Sequence, residues 1–200
     1  MIAHQHEAGG RTNVRRLVMS VVLILAGVTP VARLTAIDSP ASQPTVTVRE
    51  ERGVYSVAAR FHVRQSSAVA LAVLTDYEQI PRFMPGVETS IVLERATGRA
   101  VVEQEAVSRL MMFSKRVHLI LEITESADSL DFRDRSGRSF TRYEGTWRLC
   151  DENGRTEILY ELTAQPAFDV PQFLLKRLLK RDSGEMIANL RREIAARSPR

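Results

Sequence analysis

Leu74-Thr75-Asp76-Tyr77-Glu78-Gln79-Ile80-Pro81-Arg82-Phe83-Met84-Pro85-Gly86-Val87 holds a helix end, a short second helix and a turn into a strand. Asp76 stands where it can cap the second helix, Tyr77 to Phe83, and Pro81 comes late enough to keep that helix short. Pro85-Gly86 is turn chemistry. From Val87 onward the apolar period changes from helical to two, so a run of strands begins there.

Upstream, Val54 to Val63 is a β-rich run, and Val46 to Arg52 is placed to pair with it as a hairpin across Gly53. Ser66 or Ser67 then caps a helix carrying Val69, Leu71, Val73 and Leu74. Downstream, Val87–Glu94, Ala100–Leu110, Arg116–Thr124, Leu130–Arg135, Thr141–Leu149 and Thr156–Ala164 read as strands. Turn residues separate them at Thr97-Gly98, Ala127-Asp128, Ser136-Gly137 and Glu152-Asn153-Gly154. Val117, Leu119, Leu121 and Ile123 share a face, as do Tyr143, Trp147 and Leu149, and Ile158, Tyr160 and Leu162. Such a meander has one apolar face that must be covered.

The last helix is the expected cover. Pro171 suits a first helical turn, with Asp169 near the cap. Leu175, Leu179, Met186 and Leu190 fall on one face, flanked by Leu174, Leu178 and Ile194, while Lys176, Arg177, Lys180 and Arg191 point away. The expected class is therefore α+β: a curved antiparallel sheet of about seven strands wrapped on a long C-terminal helix, with two short helices after the first strand. Asp182 interrupts the apolar stripe. A cationic or hydroxyl partner at the edge of the cup is the first expectation, and a polar contact inside a cavity the second, because an unpaired buried charge is costly.

Charge is unevenly placed. The formal net charge is +4, with +3 in residues 1–36, +5 in residues 171–200 and −4 in the body between. A nucleic-acid binder spreads basic charge over a folded face, so none is expected here. The basic C-terminal segment reads first as a solvated helix face and second as a surface for anionic lipid headgroups. The single cysteine, Cys150, excludes an internal disulfide and a CxxC site, and it ends an alternating strand, where a structural role is expected.

Arg15-Arg16 followed by the apolar run Leu17–Ala26 has the layout of a secretory signal. Residues 1–36 are expected to be a signal peptide or an N-terminal membrane anchor, and 37–47, rich in Ser, Pro and Thr, a linker. An exported protein, periplasmic or membrane-associated, is the corresponding expectation.

Leu74-Thr75-Asp76-Tyr77, Ile80-Pro81, Phe83-Met84-Pro85 and Ser90 resemble the polyketide cyclase/dehydrase and lipid-transport family of the START-like (SRPBCC) superfamily. Val102-Glu103-Gln104-Glu105, Phe113-Ser114, Tyr143-Glu144-Gly145-Thr146-Trp147 and Leu178-Leu179-Lys180-Arg181-Asp182 support the likeness, which looks most like the coenzyme Q-binding subfamily. The resemblance implies a helix-grip fold over 48–197 and an apolar cavity between the sheet and the last helix. It would be lined here by Phe83, Met84, Met111, Phe113, Tyr143, Trp147, Leu175, Leu179, Asp182 and Met186. For any single one of them a filled core is the first expectation. Met111-Met112-Phe113 and Phe83-Met84 are candidates for a lip at the mouth.

Nucleophile-elbow, phosphate-loop, dinucleotide and zinc-helix motifs are all missing from the sequence. His62 and His118, the only histidines beyond residue 6, lie on separate strands without a ligand-like neighbour in sequence, so neither metal nor cofactor is expected. Glu103 and Glu105 alternate on one strand face and read first as a solvated outer face, second as an acid/base pair. The expected function is binding or transport of a hydrophobic small molecule: a lipid, isoprenoid or quinone. The alternative is a polyketide cyclase or dehydratase using the same cavity, with Tyr143, Tyr160, Gln104 or Asp182 as its polar groups.

Overall fold

Val54–Val63 buries every second residue: Tyr55, Val57, Ala59, Phe61 and Val63 face inward, and the residues between them face out. The same alternation runs through Arg155–Pro166, where Thr156, Ile158, Tyr160, Leu162 and Ala164 are buried. A period of two on both partners fixes the register, because a one-residue slip would turn each apolar set to water. The computed structural model describes residues 43–84, 86–110 and 113–197, with the backbone alone at 108–110 and 113. The expected leader, residues 1–36, and most of the linker lie outside them.

Among the described residues there are eight strands. They are β1 (Thr45–Glu51), β2 (Val54–Val63), β3 (Val87–Ala96), β4 (Arg99–Leu110), β5 (Phe113–Glu125), β6 (Ser129–Asp134), β7 (Phe140–Glu152) and β8 (Arg155–Pro166). They form one antiparallel sheet in the order β1-β2-β8-β7-β6-β5-β4-β3. The eighth strand, β1, is the hairpin arm anticipated across Gly53. Arg52 and Gly53 both take positive φ, 52° and 79°, which the twist of a two-residue hairpin turn demands. Asn153 and Gly154 repeat the device between β7 and β8.

Between β2 and β3 the chain crosses from one side of the sheet to its far edge through α1 (Ser67–Leu74), a single 3₁₀ turn (Tyr77–Gln79) and α2 (Ile80–Phe83). Three capping expectations are corrected here. The Ser66 and Ser67 side chains do not cap α1. Asp151 of β7 does so from across the fold, accepting the Ser67 backbone N–H at 3.0 Å and its hydroxyl at 2.7 Å. A carboxylate is a stronger acceptor than a hydroxyl. Asp76 does not cap the 3₁₀ turn. It accepts a hydrogen bond from Arg197 at 2.7 Å, a charged partner that ties this crossover to the end of the last helix. The long helix α3 (Gln172–Ala196) starts one residue after Pro171 with no side-chain cap, so Asp169 does not serve there.

Hydrogen bonds from Thr156 first and Ser67 second hold the Asp151 carboxyl below its ordinary value. A carboxyl lowered by folding contributes stability above about pH 4 that is lost as acid protonates it. Asp151→Asn is therefore expected to lower the melting temperature at neutral pH, with a difference that shrinks below about pH 4. Equal melting of variant and parent at pH 7 would rule out this cap.

α3 buries Leu175, Leu178, Ser183, Ile187, Leu190 and Ile194. This row is rotated slightly from the stripe read in the sequence: Leu179 and Met186 fall on its flank and are only partly buried. Ile187, Leu190 and Ile194 sit in the main core with Phe61, Val57, Ile158 and Val102 of the sheet. The Leu179–Met186 flank is left facing space that the core does not fill. Among the described residues no helix is long and apolar enough to cross a membrane.

Candidate functional site

That space is a cavity of about 630 Å³, within the range that holds a small organic ligand. Val117, Leu119, Leu121 and Ile123 of β5 form one wall. Tyr143 and Trp147 of β7, with Tyr160 and Leu162 of β8, form another. Leu175, Leu179, Asp182 and Met186 of α3 close it from the helix side, and Phe83 and Met84 at the end of α2 add to the lining. The period of two puts the sheet residues on one face, and spacings of three, four and seven do the same for the helix.

Eight of the ten residues expected to line a cavity are thus brought to one: Phe83, Met84, Tyr143, Trp147, Leu175, Leu179, Asp182 and Met186. Met111 and the side chain of Phe113 lie outside the described residues. Trp147 is 9% exposed and packs on Tyr160 with ring centroids 4.3 Å apart. It is wall and core at once. Asp182 meets a cation rather than standing alone: Arg181 donates to its Oδ1 from Nε at 2.9 Å and from a terminal nitrogen at 2.6 Å.

The lining has members that the sequence reading did not place there. Phe132 and Phe140 flank Tyr143, at 6.0 and 4.8 Å between ring centroids. Phe168 contributes from the loop before α3, with the Lys115 ammonium 4.2 Å from its ring centroid. Phe132 was legible as an inward position of an alternating strand, whereas Phe168 sits in a loop with no period to mark its direction. Gln104 of β4 lines the cavity, and its amide donates to the Ser90 hydroxyl at 3.1 Å. Burial first, and the neighbouring Asp134 second, push the Tyr143 phenol up to about 12, while the Tyr160 hydroxyl opposes them. Tyr160 is raised as well, chiefly by burial. Both phenols therefore keep their protons at neutral pH.

The opposite face of the sheet is different in kind. A shallower hollow of about 1000 Å³ runs across it, lined by side chains such as Glu94, Arg99, Glu122, Arg133, Arg135 and Glu144. Arg135 lies 3.6 Å from Glu94 and 3.4 Å from Glu122, and Arg133 lies 3.6 Å from Glu144. Exposed pairs of this sort are a solvated surface. His118 shares that face and has neighbours that its place in the sequence did not show. Glu103 is 3.6 Å away and Glu105 3.8 Å away, because the register sets Glu105 opposite His118. Among the described residues no group of three or more side chains is arranged to hold a metal ion. Glu105 also pairs with Arg116 at 3.2 Å. Cys150, for which a structural role was expected, is exposed.

A family model described as polyketide cyclase / dehydrase and lipid transport matches residues 63–191. A STAR-related lipid transfer protein from Xanthomonas axonopodis superposes with a TM-score of 0.64 at 17% identity, covering 78% of this chain and 95% of that one. The aromatase/cyclase Zhui from Streptomyces sp. R1128 gives 0.62 at 14% identity, covering 72% and 95%. A Thermus thermophilus protein gives 0.62 at 22% identity, covering 72% and 99%. Comparison with curated proteins found no match. At these identities the superpositions show a shared START-like, helix-grip fold.

Proposed function

This chain belongs to the polyketide cyclase / dehydrase and lipid transport family, and on that footing we propose that it binds and carries a hydrophobic small molecule, a quinone, isoprenoid or other lipid, in the cavity between sheet and α3. The observation that carries the reading is the cavity itself: about 630 Å³ walled by Leu, Val, Met and aromatic side chains. Burying ten methylenes there would contribute about 8 kcal/mol, enough for roughly micromolar binding before ordering costs are subtracted. No charged anchor is required. Met84 and Met186 supply the adaptable packing that suits a flexible tail.

In this reading the carrier is exported and works beside a membrane. Arg15-Arg16 ahead of Leu17–Ala26 supports export. Phe173 in the first turn of α3 is 77% exposed, and Lys176, Arg177 and Lys180 follow it on exposed positions. An apolar wedge beside cations suits an anionic lipid surface, where each cation near the headgroups contributes about 1 kcal/mol. The cyclase alternative ranks second, because phenols held protonated can donate a hydrogen bond but are poor proton acceptors at neutral pH.

Native mass spectrometry of the full chain, purified gently and followed by lipid extraction, tests the proposal. A defined lipid or quinone at near-unit occupancy is expected, together with co-flotation on phosphatidylglycerol vesicles that Phe173→Ser weakens. A protein that is empty and binds nothing in a broad lipid screen sinks the carrier reading.

A further inference from the structure

We propose that Gln104 on the sheet wall and Ser183 on the helix wall are polar contacts of this cavity that select a cargo with an uncharged hydroxyl on an apolar body, a lipid alcohol. The inference rests on the cavity being the ligand site, and it adds the chemical class of the ligand and the side chains that read it.

Ser183 falls in the middle of α3, on its buried row, and is 7% exposed. Leu179, one turn before it, and Met186, one turn after it, share its face, and all three line the cavity. A serine or threonine in a helix commonly returns its hydroxyl to the carbonyl one turn back, as Thr75 does to Leu71 at 3.0 Å. Among the described residues the Ser183 hydroxyl has no hydrogen-bond partner. Its setting is costly as well. Asp182, Ser183 and Gly184 are all poorer helix formers than alanine, and they stand in succession inside a 25-residue helix. A Cβ on Gly184 would meet nothing within 4 Å, so close packing does not demand the glycine. A run that weakens its helix without gaining contacts is where function overrides a local rule.

Gln104 is set directly opposite Ser90 in the β3–β4 ladder, and its amide donates to the Ser90 hydroxyl at 3.1 Å. Ser90 is buried, so this bond holds the amide against the wall. One N–H of the amide is thereby used. The second N–H and Oε1 have no partner among the described residues, and the side chain lines the cavity. On the other side Gln104 is paired with Leu119 of β5, which is buried and apolar. Gln104 and Ser183 can each give a hydrogen bond and take one, and an alcohol does the same. A carbonyl would leave the acceptors idle, and a hydrocarbon would leave both side chains unpaired in apolar surroundings. A carboxylate or phosphate calls for a cation. Arg181 is already 2.6 Å from Asp182 and 3.7 Å from Glu185, and Lys115 lies over Phe168.

The test uses two probes that differ by one oxygen, 1-pyrenemethanol and 1-methylpyrene. Pyrene fluorescence reads their binding to the full chain and to its Ser183→Ala and Gln104→Met variants, and thermal unfolding is followed on the same samples. The parent is expected to prefer the alcohol. Each variant is expected to weaken pyrenemethanol about three- to tenfold and to leave methylpyrene within about twofold. Ser183→Ala is also expected to keep or raise the melting temperature, since alanine favours the helix and no internal bond is lost. A lower melting temperature for Ser183→Ala would show that the hydroxyl is bonded within the protein, and equal losses for the two probes would make the effect one of packing. Either result overturns the proposal, as does an unchanged pyrenemethanol affinity in both variants. If the parent binds neither probe nor any lipid, the carrier reading fails and this inference fails with it. If the parent binds the two probes equally, this inference fails alone.

Discussion

Gly145→Ala is expected to lower the melting temperature by about 10 °C. A Cβ at this position would stand 2.2 Å from the Glu161 carbonyl oxygen and 2.6 Å from Cζ of Phe132. The phenyl ring can swing into the cavity, but the carbonyl belongs to the β8 backbone, which is held in the ladder on both sides. Relief requires β7 and β8 to part where Tyr143, Trp147 and Tyr160 are mounted. Overpacking of this kind reaches about 3 kcal/mol, a large share of the stability of a domain this size, and each kcal/mol moves the midpoint of such a domain by about 2–4 °C. The cause is steric, since Gly145 does not occupy the left-handed region. Thermal unfolding followed by circular dichroism checks it. A shift under about 2 °C would show that the strands are not pinched at Gly145.

The second large effect concerns binding instead of stability. Ala106→Trp is expected to empty the protein of co-purified ligand, with affinity reduced at least about tenfold, while the fold persists. Ala106 is on the inward face of β4, opposite Val117, and lines the cavity. It is only partly buried. An indole there projects into unfilled apolar space, so the usual cost of inserting bulk into a packed core is largely avoided. Ala106→Phe provides a smaller plug should the indole disturb β4. Full ligand occupancy in a folded plugged variant would mean that the ligand lies somewhere other than this cavity.

The elements themselves were legible because their periods are strong. Ile158, Tyr160 and Leu162 alternate without interruption, and Tyr55 through Val63 do the same, so the strands and their inward faces could be written down from spacing alone. Turn chemistry marked Gly53, Gly98 and Gly154 as turn positions, and all three take positive φ. The caps were less legible. Asp76 and Ser67 were assigned local tasks because only local partners are visible along a chain. In the fold, Arg197 and Asp151 reach them from 121 and 84 residues away. Charged groups brought together by folding outcompete neutral neighbours in sequence.

The cavity shows the same division. The choice of large apolar and aromatic residues at inward positions was set by sequence, and with it Tyr143, Trp147, Leu175, Leu179 and Met186 as candidates. Whether such residues fill a core or enclose a void is not a property of any period. It depends on how far α3 stands off the sheet and on its rotation, which leave Ile187, Leu190 and Ile194 packed while Leu179 and Met186 face open space. The seat of the Phe132 ring over Gly145 likewise required the register of β6 against β7 and the missing side chain at Gly145. Local periodicity determines which face of each element is apolar, because it is a geometric property of one strand or one helix. The gap between two such faces is fixed only by long-range pairing, and that exists once the chain has folded.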